Sequence, residues 1–99
     1  MDTNVYLIRE STQLNLNGLK IAAGNLMRSE YQDEEGTITE GVTAMLWVVE
    51  DDGLSQRVRV YAGQEVVVGH HLIGVVEVSS DSQGGFVRLT VTPAQESEP

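Results

Sequence analysis

There is no cysteine in this chain. Disulfide staples, thiolate metal sites and cysteine nucleophiles are therefore excluded together, and stability has to come from packing and backbone pairing. Basic residues are scarce as well: six Lys+Arg stand against fifteen Asp+Glu, a formal charge of −9. Nucleic acid held through its phosphates calls for a basic stripe, and an anionic membrane surface calls for basic clusters, so both are disfavoured as partners. Long apolar runs are missing too. The longest, within VTAMLWVVE, falls far short of the roughly 18 residues of a membrane span. The opening MDTNVYLIRE starts on an acid instead of a basic n-region. The expected location is cytoplasmic.

What is present is a chain of 99 residues, 40% of them apolar, with valines spread along its length. That suits one domain with one core. Period-two alternation recurs almost everywhere, which predicts strands. The clearest signal is QLNLNGLKI, where Asn17-Gly18 is the preferred two-residue hairpin turn. It sets Leu16 opposite Leu19 and Leu14 opposite Ile21 on one face, with Asn15 and Lys20 on the other. The following LKIAAGNLMRSEY fits a short helix by spacing, but Leu19 already belongs to the hairpin and Gly24 suits a bulge. A strand continuing past a bulge is the favoured reading of residues 19–31.

Residues 32–41, QDEEGTITEG, form a polar, acidic connection. If Asp52-Gly53 is a two-residue turn, SQRVRVYA returns antiparallel to VTAMLWVVE. Trp47 then faces Val58 and Met45 faces Val60 on the core side. The other side pairs Leu46 with Arg59, Val48 with Arg57 and Ala44 with Tyr61. The rest reads as strand, Gly-His-His bend, strand, the loop SDSQGG, and a last strand ended by Pro93, which lacks a ladder donor. The expectation is an all-β fold with little or no helix: a single small antiparallel sandwich or barrel of seven to eight short strands over residues 1–93. Residues 94–99, AQESEP, are expected to be a disordered acidic tail.

Chemistry-bearing motifs are few. His70 and His71 are neighbours in a strand-rich stretch, where successive side chains point to opposite faces. They are weak metal candidates, and Gly69 is expected to supply the positive φ of a tight turn with the histidines at its solvated tip. The acidic groups Asp33-Glu34-Glu35 and Glu50-Asp51-Asp52 lack the alternation of a calcium loop and read as solvated turns. No nucleophile elbow is present, and SDSQGG leads into a strand where a phosphate loop would lead into a helix. From Gly63 to Pro93 the text is similar to the carbon-storage-regulator family of small RNA-binding proteins, at Gly63, Gln64, Gly69, Val87, Arg88, Leu89 and Pro93. That likeness covers about a third of the chain and is one of strand–turn–strand text. Pro93-Ala94 reverses the family's Ala-Pro, and the basic residues flanking its RNA site are missing, so RNA binding is not carried over.

The mixed face of Leu46, Val48, Arg57, Arg59 and Tyr61 is the remaining site-like feature, since Arg and aromatic residues beside aliphatics are enriched at protein interfaces. The expectation is a non-enzymatic interaction module: a structural subunit, an inhibitor or an immunity-type partner. It would bind another protein, a basic one being the kind that the acidic charge suits, or a second copy of itself, with no cofactor. The alternative is a small-ligand or metal-binding domain, conceivably an enzyme, built on the His70-His71 bend and nearby carboxylates.

Overall fold

A computed structural model describes residues 4–16, 18–51 and 53–93. Residues 1–3, Asn17, Asp52 and residues 94–99 lie outside them, and with these the first residues of the expected domain and the expected disordered tail. Eight strands follow in order: β1 (Val5–Arg9), β2 (Gln13–Leu16), β3 (Leu19–Gln32), β4 (Ile38–Glu50), β5 (Ser55–Tyr61), β6 (Glu65–Val68), β7 (His71–Asp81) and β8 (Gly84–Pro93). They form two four-stranded sheets, in the orders β1-β8-β7-β6 and β2-β3-β4-β5, and every pairing is antiparallel. We call these the first and the second sheet. No helix is present among the described residues.

The alternation of each strand builds the core. Ile8, Val66, Val68, Ile73, Val75, Val78, Val87 and Leu89 come from the first sheet. Leu19, Ile21, Ala23, Ala44, Leu46, Val48 and Val60 come from the second, and together they make one buried cluster. This is the all-β sandwich that the periodicity predicts.

The β2–β3 hairpin has the expected register, with Leu16 opposite Leu19 and Leu14 opposite Ile21. The bulge in β3 is also as expected: the register with β4 shifts between Gly24 and Met27, and Asn25 takes a left-handed φ of 51°. The connection expected over 32–41 is shorter than the sequence suggests. Only residues 33–37 turn, because Asp33 Oδ1 accepts from the amides of Glu35 (3.0 Å) and Thr37 (2.9 Å), and β4 begins at Ile38.

The β4–β5 register differs from the expectation by one residue. Glu50 N–H donates to Leu54 O at 2.8 Å and Gly53 N–H to Glu50 O at 2.9 Å, with Gly53 at φ 97°. This is the three-residue hairpin loop that ends on a left-handed glycine, where the two-residue turn was expected. A slip of one exchanges the two faces of a strand. Leu46 therefore pairs with Val58 and Trp47 with Arg57. Leu46 and Val48, expected beside the arginines, are core residues with 0% exposure.

Candidate interaction face and the Glu50–His71 pair

With the register corrected, Arg57, Arg59 and Tyr61 still share the outer face of the second sheet. Their neighbours across β4 are Trp47, Met45 and Thr43. The sequence thus grouped the polar members of the face correctly and gave them the wrong companions. Trp47 is 37% exposed and lies over Gly24, where an added Cβ would sit 3.3 Å from the indole Cζ3. Glycine at that place lets the ring rest on the backbone of β3, leaving its other face to solvent.

Arg59 is held by its surroundings. Its Nη1 donates to Asn25 O at 3.1 Å, a carbonyl that the bulge exposes, and to Thr43 Oγ1 at 3.0 Å. Thr43 is buried and also bonds Ser29 Oγ at 3.0 Å. A guanidinium has five N–H donors, so this anchoring fixes the group while leaving donors for a ligand. Further along, Tyr61 stacks on Tyr31 with ring centroids 4.2 Å apart and planes 14° from parallel. Burial, then the charges of Glu34 and Asp33, raise the Tyr61 phenol above its ordinary range.

Shallow grooves flank the indole on both sides. One, of about 390 Å³, runs between Trp47 and the Ser11–Gln13 corner; the other, of about 300 Å³, lies between Trp47, Ser55 and Arg57.

Charge sets this face apart. Its strand positions carry Lys20, Arg57 and Arg59 and no carboxylate, although the chain has fifteen Asp+Glu. Among the described residues, none of the three forms an ion pair. The outer face of the first sheet is the reverse. Arg9 binds Asp81 through two hydrogen bonds of 2.8 and 3.0 Å, and Arg88 Nε lies 3.4 Å from Glu77. Both guanidinium groups also stand over the ring of Phe86, at 5.6 and 5.8 Å. The Arg9 bonds, then the Gln83 amide, hold the Asp81 carboxyl below its usual range.

The histidine bend is a link between the sheets. Gly69 has φ 57° and occupies the turn, as expected. His70 is exposed, but His71 opens β7 on the core side, in line with Ile73 and Val75. Its Nδ1 lies 2.6 Å from Oε2 of Glu50, which is 5% exposed, and the His70 amide donates to the same oxygen at 3.3 Å. Glu50 is therefore no solvated turn residue, contrary to the sequence reading. A Cβ at Gly69 would collide with the Glu50 carboxylate, so this glycine answers to space as well as to φ. Sequence reasoning missed the pair because its members are far apart in the chain. The usable signal is parity: Glu50 falls in step with Ala44, Leu46 and Val48.

Among the described residues no three His, Cys, Asp or Glu side chains converge as metal ligands, and no helix is long and apolar enough to cross a membrane. Known proteins offer no guide. The chain matches no family model, no curated protein and no solved structure. Function has to be argued from the face itself.

Proposed function

We propose that this protein is a non-enzymatic interaction module that binds a partner protein through the outer face of the second sheet, centred on Trp47, Arg57, Arg59 and Tyr61. One observation carries the reading: a strip of Trp, Met, Tyr and Arg without a single strand carboxylate, on a chain of −9. Trp, Tyr and Arg are the residue types that dominate binding energy at interfaces, because they combine large apolar area with directional polar groups. Trp47 is propped on Gly24 and Arg59 is tied to Asn25 O and Thr43, so the strip is ordered before any partner arrives. Less side-chain entropy is then lost on binding.

The total charge and the face point in different directions. A net −9 steers the chain toward basic surfaces at long range, while Lys20, Arg57 and Arg59 select carboxylates at contact. Beyond roughly 8–10 Å salt screens the former, so the contact chemistry decides what is held.

The test is affinity capture by the wild-type chain, by the Arg57→Glu, Arg59→Glu double variant, and by Arg57→Glu alone, whose side chain makes no hydrogen bond among the described residues. The expected result is a defined partner recovered by the wild type and lost with both variants, with the melting temperature unchanged in Arg57→Glu. Equal recovery by all three refutes the assignment of the face.

A further inference from the structure

We infer that the open edge of β5 takes up an extended acidic segment of a partner polypeptide as a ninth strand, with a carboxylate against Arg57. This rests on the reading of the second sheet's outer face as an interaction surface, and adds the mode and the chemistry of binding.

Four strands end the two sheets. β5, with seven residues, is longer than β1 with five and β2 and β6 with four each. No proline or bulge interrupts it, two of the usual devices that blunt an edge. The backbone direction follows from two observations. Tyr61 N–H donates to Gln64 Oε1 at 3.1 Å and Tyr61 O accepts from Gln64 N–H at 3.2 Å, so both groups of Tyr61 point away from β4. At the other end, Glu50 N–H bonds Leu54 O, so the even-numbered residues of this hairpin are the ones bonded across it. Antiparallel pairing alternates. Ser55, Arg57 and Arg59 therefore present N–H and C=O to the open side, and among the described residues nothing occupies them. Gln64 closes the edge at Tyr61.

The same residues supply the chemistry. Arg57 and Arg59 are two apart, on one face, about 7 Å from each other along the strand. An added strand places a residue about 5.5 Å from each across a hydrogen-bonded pair. A carboxylate opposite Arg57 meets its guanidinium, one opposite Arg59 adds attraction to a guanidinium whose Nη1 is turned inward to Asn25 O and Thr43, and the backbone of the added strand fills the edge. This is the division of labour in strand addition: main-chain bonds hold, and alternate side chains select. Arg57 has no side-chain partner among the described residues, so no internal ion pair has to break. The other edges lack this combination. β1 exposes Val5 and Leu7, and β6 offers Glu65 and Val67.

A ten-residue peptide alternating Glu with Thr or Val, titrated into the isotopically labelled chain and followed by NMR and amide exchange, tests this. Binding should saturate, and the amides of Arg57 and Arg59 should gain at least tenfold protection. Arg57→Glu alone should weaken binding and the double variant should weaken it at least tenfold. A peptide with Lys in place of Glu should bind the double variant and not the wild type. Methylating alternate peptide nitrogens should abolish binding, because it removes backbone donors and keeps every charge. An N-methylated peptide that binds equally well, or protection at β1 instead of β5, overturns strand addition. An oligothymidylate that binds more tightly than the peptide through Arg57 and Arg59 overturns it in favour of nucleic acid. A dimer that dissociates on Arg57→Glu overturns it in favour of a second copy. Unchanged partner capture by the arginine variants defeats the underlying interaction reading whatever the peptide does; lost capture beside an indifferent peptide edge defeats this inference alone.

Discussion

The two outer faces of this sandwich are built from similar strands and treat charge in opposite ways. On the first sheet Arg9 and Arg88 are matched by Asp81 and Glu77 and lie over Phe86. That face is closed electrostatically. On the second, Lys20, Arg57 and Arg59 stand among Trp47, Met45 and Tyr61 with no strand carboxylate in reach. The lesson is that net charge describes a molecule poorly where it touches another. A chain of −9 can present a cationic face once its acids are consigned to turns, the opposite sheet and, as with Glu30, Glu40 and Glu50, the inner side of the same sheet.

The comparison depends on the β4–β5 register, and breaking that register gives the largest effect. Leu46→Ala should cost about 2–5 kcal/mol, the range for a fully buried aliphatic residue. Trp47→Ala should cost less despite the larger side chain, because the indole is 37% exposed. Urea unfolding of the two variants checks this, and a larger loss for Trp47 would restore the register in which Leu46 stands beside Arg59.

Next in size is the link that joins the sheets. Gly84 has φ 115° with nothing within 4 Å of an added Cβ, whereas Gly69 has φ 57° and the Glu50 carboxylate in the way. Gly84→Ala should cost about 1 kcal/mol for backbone strain alone. Gly69→Ala should cost about 1–3 kcal/mol more, since it also displaces a buried hydrogen-bonded carboxylate. A loss at Gly69 no larger than about 1–2 kcal/mol, the strain of a left-handed residue alone, would show that Glu50 relaxes freely.

The smallest effects sharpen the contrast in charge. Arg57→Glu should change stability by no more than about 0.5 kcal/mol, as for a surface residue without a side-chain partner among the described residues. On the first sheet, Asp81 is held below its ordinary range by Arg9. Its contribution is therefore complete at neutral pH and is lost as pH falls below about 4 and through the lowered folded-state value. In Arg9→Gln the Asp81 carboxyl should titrate closer to an ordinary aspartate, with a shallower loss of stability in acid. Carbon-detected NMR of that carboxyl and unfolding curves across the same pH range read both.

Where local chemistry was decisive, the sequence was legible. Asn17-Gly18 flanked by alternating leucines admits one register, and Gly24 after Ala22-Ala23 marks a bulge by breaking the alternation. Asp51-Asp52-Gly53 does not decide in the same way. The same residues close a two-residue or a three-residue loop, both keep the strand periodicity, and they differ only in which face is buried. That ambiguity exchanged Leu46 and Val48 for Trp47 and Met45 while leaving Arg57, Arg59 and Tyr61 together. The Glu50–His71 pair was hidden for another reason: it forms between sheets, and its partners are 21 residues apart.

The central claim is that a partner sits on the second sheet and not on the first. Photo-crosslinking from single positions asks this directly, with p-benzoylphenylalanine in place of Met45 in one protein and in place of Thr90, on the outer face of the first sheet, in another. A partner adduct is expected from position 45 and none from position 90. An adduct from position 90 alone would contradict it.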